Sequence, residues 1–333
     1  MPRAREIMPR ARDSGPSPAP AEMAALVHRA ARRAVLPCRV MQTQVSTAAA
    51  ARRRRPRRDP LTLLREAASE VYQSRRLIAY LVQADLKKKG SDTLLGNIWW
   101  VVDPLLQMLV YVVLVSVIFQ EKVPDYPLFI FSAILPWKWF TSSVGDAITS
   151  VSGQDKLIKQ IKFPKIVLPT ASTIAGIAGF LFGMIPLLAL LVLFYRDRLS
   201  IVLVLIIPIA VVQLVFTMAF GYLVSATNVF YRDVANVSRH ALRMWFYLSP
   251  GLYAASSLNS IARVHPTIMK LMELNPFFTL FESYRVVIYG TDTTGPVMPN
   301  WTPLLILLVA SLLILALTTM VFKRAETSFA KVL

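Results

Sequence analysis

The sequence predicts an all-α integral membrane protein with six transmembrane helices behind an N-terminal amphipathic interface helix. Three observations carry that prediction. Of 333 residues 55% are hydrophobic and 17% charged, and the mean hydropathy is +0.51, well outside the composition of a soluble domain. Two runs, Ile166 to Tyr195 and Ile201 to Phe230, contain no charged residue and exceed the roughly 20 apolar residues a bilayer crossing needs. Finally, Lys and Arg concentrate in alternate loops, as membrane topology demands.

Residues 1–60 hold 14 Arg and eight Pro against four acids, with the block Arg52 to Arg58 broken only by Pro56. Such a segment reads as a disordered basic cytoplasmic tail. Two roles fit it: a polybasic segment drawn to anionic lipids, or a passive leader upstream of a start at Met41. Residues 61–97 then place Leu61, Leu64, Val71, Leu77, Ile78, Leu81, Val82 and Leu86 at helical spacing among charges, ending in Lys87-Lys88-Lys89-Gly90. A helix with that narrow apolar stripe fits the cytoplasmic interface or the face of a partner protein.

The spans of a membrane domain at 98–333 fall at about 98–120, 127–150, 169–194, 201–229, 240–258 and 301–322; Lys138 and Asp146 interrupt the second. The 155–165 loop nets +3, the turn near Arg232 to Arg243 +2, and the end after Lys323 +2. The intervening loops carry −1, +1 and 0. Both termini are therefore expected in the cytoplasm, which requires an even number of spans.

Several chemistries are excluded. The single Cys38 allows no disulfide framework, and His28, His240 and His265 have no metal-ligand spacing, so no metal site is expected. No Gly-Lys dipeptide occurs, hence no nucleotide-cradling loop and no cofactor in this chain. The excess of bases, mostly in the tail, follows membrane topology rather than nucleic-acid binding. An embedded sugar transferase would need clustered acids or Asp-x-Asp, which are missing.

The loop 152–165 predicts a two-turn helix: Ser152 as cap, Asp155 in the first turn, Lys159 toward its end, Pro164 as stop, with Leu157, Ile158 and Ile161 on one side. It reads either as an apolar docking knob or as a positive-inside loop that happens to be helical.

From about residue 75 to the end, the chain resembles the permease subunits of type-2 ABC exporters in the polysaccharide export family. The resemblance rests on Asp85-Leu86-Lys87 leading into Gly96-x-x-Trp99-x-x-x-x-Pro104-Leu105, Leu157-Ile158-Lys159 to Phe163-Pro164, Phe230-Tyr231-Arg232-Asp233, Ser249-Pro250, Asn275-Pro276, Tyr284-Arg285, and Phe322 to Phe329. Many relatives read Asp-Leu-Lys-x-Arg-Tyr where this chain reads Asp85-Leu86-Lys87-Lys88-Lys89-Gly90, which leaves the subfamily and its polymer open.

The resemblance implies a homodimer with two separate ATPase subunits that bind ATP and Mg. It implies export of a lipid-linked polysaccharide (O-antigen, capsule, teichoic acid or galactan type) across the bacterial plasma membrane. A drug or small-lipid exporter of the same architecture is the alternative. Asp155, Leu157, Ile158, Lys159, Ile161, Phe163 and Pro164 would then couple the chain to its ATPase. The outer loop 259–300 would hold two short re-entrant helices at about 266–289. Pro266 and Pro276 suit first helical turns, and Phe277, Phe278, Leu280 and Phe281 are too apolar for an exposed loop.

Ionisable groups at membrane depth mark function or pairing. Lys138 is therefore expected to face a counter-charge, with Asp103 and Asp146 the candidates, or a wet pathway. Trp137, Trp139 and Phe140 beside it, with Phe277, Phe281, Tyr284 and Arg285 of the outer loop, are the expected aromatic lining and gate. Interfacial aromatic belts offer an equally ordinary account of each ring.

Overall fold

A computed structural model describes residues 59–90, 96–118, 123–253, 266–290 and 295–332. The basic tail lies outside the described residues, as does part of the outer loop. Eleven α-helices and no strand occur among the described residues. They are α1 (Pro60–Gln73), α2 (Arg75–Gly90), α3 (Trp99–Val112, continued by a π-helical turn Val113–Ile118), α4 (Tyr126–Ser152), α5 (Asp155–Gln160), α6 (Val167–Phe194), α7 (Ile206–Phe230), α8 (Val234–Leu248), α9 (Pro266–Glu273), α10 (Pro276–Ile288) and α11 (Trp301–Val332).

Four segments are long and apolar enough to cross a membrane: Trp99–Ile118, Val167–Phe194, Ile201–Phe230 and Trp301–Phe329. They coincide with the first, third, fourth and sixth expected spans. The second, α4, has 27 residues, about 40 Å at 1.5 Å per residue, so its length suffices and its composition does not. The reason is position. α4 packs against α3, α6, α7, α8 and α10, and residues 128–137 are buried without interruption. A helix covered by other helices need not present an apolar surface to lipid.

Within the fifth expected span, 240–258, the helix begins earlier, at Val234, and stops at Leu248; residues 254–258 lie outside the described residues. α8 stops at Leu248 because Pro250 has no N–H and forces Ser249 into extended backbone (φ −96°, ψ 149°). Its 15 residues cover about 22 Å, less than a hydrocarbon core. The expected interface helix is broken at Ser74. α1 buries Leu63 and Ala67 against α11, and α2 buries Ile78 against α6.

Polar side chains tie the long helices together, as they do where water is scarce. Gln213 donates to the Pro136 carbonyl (2.7 Å), Asn228 to the Ile148 carbonyl (3.0 Å), and Thr170 pairs with the Tyr222 hydroxyl (2.7 Å). Small residues let backbones close. A Cβ on Gly176 would meet Ser143 Oγ at 1.9 Å, so α6 touches α4 through that missing side chain.

Two helices start where the prolines of the outer loop predict. Asn275 accepts from the Phe277 amide (3.0 Å) to cap α10, and Gly290 (φ +82°) ends it in the left-handed region open to glycine. α10 lies along α4: Phe277 packs on Trp137 and Phe140 (both 4.7 Å between centroids), while Tyr289 packs on Phe129 (5.5 Å).

Candidate functional site

Three groups of residues hold the chemistry, one at each end of the bundle and one around α4. At the end where α4 begins, Arg198 donates to Asp125 (2.9 Å) and to the Tyr289 carbonyl, with its guanidinium 4.7 Å from the Tyr289 ring. Burial pushes the nearby Tyr195 hydroxyl up, reinforced by Asp125, so it stays neutral beside that pair. Arg285, only 2% exposed, donates to the carbonyls of Gly251 (2.5 Å) and Tyr253 (3.3 Å) and covers the Phe129 ring at 3.9 Å. It braces the junction after α8 against α10 and α4.

At the opposite end, α5 is shorter than expected. Ser152 belongs to the last turn of α4 and accepts from Asn228 (3.0 Å) instead of capping α5, whose preceding residue is Gln154. The chain leaves α5 extended at Ile161, three residues ahead of Pro164. The apolar face divides. Ile158 is buried with Val151, Ile166, Phe322 and Phe329, and Phe163 leans on the same cluster. Ile161 is 55% exposed and Leu157 half-buried, while Lys159 is exposed. The side chain of Asp155 lies outside the described residues.

Sequence reasoning missed what fixes this end. Lys323 on α11 donates to both carboxylate oxygens of Glu70 on α1 (2.8 and 2.7 Å) and to Glu326 (2.7 Å). The other oxygen of Glu326 accepts from the Lys165 amide (2.7 Å), just past Pro164. The interface helix, the C-terminal helix and the exit of the α5 loop thus share one charge-assisted network. The i, i+3 spacing of Lys323 and Glu326 was the only local signal for it.

Around α4, Lys138 pairs with Asp103 of α3. Asp146 pairs instead with Lys89 at the end of α2 (2.5 Å), which also lies 3.9 Å from Asp85. Lys138, Asp103 and Lys89 line a cavity of about 400 Å³ walled by α2, α3, α4 and α6, where the Trp139 and Phe180 rings pack (4.9 Å) and the Trp139 indole N–H has no partner among the described residues. A second cavity of about 400 Å³ lies on the other flank of α4, against α3 and α8, and Trp137 lines it.

The expected path residues are therefore distributed. Asp103, Lys138 and Trp139 share the first cavity and Trp137 lines the second. Phe140, Phe277, Phe281 and Tyr284 are fully buried and line neither. They form a packed ring cluster with Trp137, Phe216, Trp245 and Phe246 that glues α4, α7, α8 and α10. Among the described residues, no group of His, Cys, Asp and Glu is arranged to hold a metal ion.

No protein-family model matches the chain. It is 32% identical over 262 residues to the O-antigen export system permease protein RfbA of Myxococcus xanthus, covering 79% of this chain and 97% of that protein. It is 26% and 24% identical, each over 258 residues, to two O-antigen export system permease proteins RfbA of Klebsiella pneumoniae, covering 77% of this chain and 95% of each relative.

Proposed function

Since this chain belongs to the family of O-antigen export permeases of type-2 ABC transporters, we propose that it forms, as a homodimer, the membrane pathway through which partner ATPase subunits drive a lipid-linked polysaccharide. The chain is a polysaccharide export permease and a multi-pass membrane protein. The observation that carries the coupling role is the α5 loop. It presents Ile161 outward while its exit is clamped to α11 and α1 through Glu326, Lys323 and Glu70. A push on Ile161 has a rigid route into two other helices.

Six crossings, α3, α4, α6, α7, α8 with the segment after it, and α11, fit the way loops gather. Asp125, Arg198 and Tyr289 meet at one end, and Glu70, Lys165 and Glu326 at the other. With bases richer at the second end, both termini belong in the cytoplasm and the membrane is the bacterial inner membrane. A re-entrant α10 fits the same reading, because Phe277 contacts Trp137 and Phe140, eleven and more residues into α4, whereas Tyr289 is back beside Phe129. The ion-paired cavity and the aromatic cluster are the proposed path wall and its packing support.

The test is complementation. The chain, co-expressed with its ATPase in cells lacking their own permease, is expected to bring lipid-linked polymer to the outer face, while the purified chain alone hydrolyses no ATP. ATP hydrolysis by the chain alone, or efflux of small amphiphiles with no polymer exported, overturns the reading.

A further inference from the structure

The two cavities flanking α4 differ in charge. In the first, each base has an acid: Lys138 with Asp103, Lys89 with Asp146. The second is lined by Arg239 and Arg243 and by no carboxylate among the described residues. Arg239 reaches only the Asn236 side-chain oxygen (3.4 Å), and neither arginine forms an ion pair among the described residues. They sit about one turn apart on α8, which places both arginines on a single face of the helix. Each planar fork pairs bidentately with phosphate oxygens, and two on one face suit a phosphate or diphosphate.

The cavity is also graded. Toward the α5 end it offers the arginines and Thr149; further in it offers Tyr111, Trp137 and Phe246, whose rings pack at 5.3 to 5.9 Å. Charge at the bundle's end and aromatic faces deeper in suit a molecule whose phosphate remains at the interface while a saccharide lies against the rings.

We propose that Arg239 and Arg243 form an anion site for the phosphate or diphosphate that joins the lipid to the saccharide of the transported substrate. The inference rests on the export reading and adds which part of the substrate is recognised. Such a site reads the linkage and ignores the sugar sequence, so one permease accepts chains of any length. Bulk anionic lipid carries the same phosphate chemistry, and the test separates the two sources.

The permease–ATPase complex in detergent is titrated with a polyprenyl diphosphate, with the matching polyprenyl alcohol and with phosphatidylglycerol, following tryptophan fluorescence. The wild-type complex is expected to bind the diphosphate at least tenfold more tightly than the alcohol. The double variant Arg239→Gln/Arg243→Gln is expected to lose that preference, and Arg239→Lys/Arg243→Lys to keep part of it. Equal thermal unfolding of the three complexes confirms that they remain folded. Unchanged diphosphate binding by the Gln variant overturns the site. Equal binding of phosphatidylglycerol overturns the assignment to substrate. Polymer export is measured in parallel. Wild type that exports polymer beside a Gln variant that exports and binds normally condemns the anion site alone, whereas wild type that exports none condemns the functional reading.

Discussion

Lys323 is enclosed by the carboxylates of Glu70 and Glu326 and is 8% exposed, so its charge stabilises three elements at once. Lys323→Met leaves two acids facing one another in a buried setting and is expected to cost about 3–5 kcal/mol, with Lys323→Met/Glu70→Leu recovering much of it. Thermal unfolding in detergent measures both. Lys138 behaves differently, since the Asp103 side chain is 66% exposed. There Lys138→Met is expected to lower stability by roughly 1 kcal/mol or less in detergent, because exposed pairs are weak. Loss of export at unchanged stability would instead mark Lys138 as a contact of the transported polymer. The Asp103 partner was legible because a charge inside an apolar run must be answered by another nearby. Glu70 was not, because 253 residues separate it from Lys323 and no periodicity links them. Lys89 was concealed for a related reason: it stands in a basic run at the end of the expected interface helix, yet it pairs with Asp146.

The α5 loop shows what a local pattern reveals at the scale of elements and what it hides. Sequence spacing identified a short helix stopped by Pro164, but it assigned Ile158 and Ile161 to one face. The extended backbone at Ile161 turns that side chain out, whereas Ile158 stays in the cluster with Phe322 and Phe329. Ile161→Asp is accordingly expected to leave unfolding unchanged while reducing ATP-driven export severalfold, and Ile158→Asp to destabilise the protein by burying an unpaired charge. Measuring export beside thermal unfolding separates the two, and identical behaviour of both variants would contradict the divided face. Close helix packing gives a second expectation. Gly176→Ala forces the Ser143 hydroxyl aside and is expected to cost about 1–3 kcal/mol, with Ser143→Ala/Gly176→Ala no worse than the single variant. The signal was present in Gly179-x-x-x-Gly183 and its neighbour Gly176, a small-residue stripe typical of helices that pack closely in membranes. The starts of α9 and α10 were readable, since Pro266 and Pro276 act through the backbone alone, whereas the stop before Pro250 was passed over because the run around it is apolar.

At the scale of the whole molecule, loop charges gave an alternation that the contacts at the two ends of the bundle parallel, but hydropathy could not reveal α4 as the central helix. A helix enclosed by others tolerates Lys138, Ser142, Gly145 and Asp146, and these interruptions remove the unbroken apolar run by which a span is recognised. In a Cys38→Ser background, single cysteines at 125 and 298 are expected to react with an impermeant reagent in intact cells, and those at 161 and 328 only after permeabilisation. Labelling of 161 and 298 from the same side would break the alternation. The Lys138–Asp103 pair carries a consequence for how the chain is made. During synthesis α4 brings the charge of Lys138 to the membrane, yet that lysine has a partner on α3, the helix made just before it. The two would enter the bilayer together as a hairpin, with their charges already neutralised, and α3 would wait at the insertion machinery for α4. Asp103→Leu, which makes α3 more apolar, is therefore expected to impair insertion of α4, visible as a shifted glycosylation pattern when acceptor sites are placed after residue 152 and the chain is translated into microsomes.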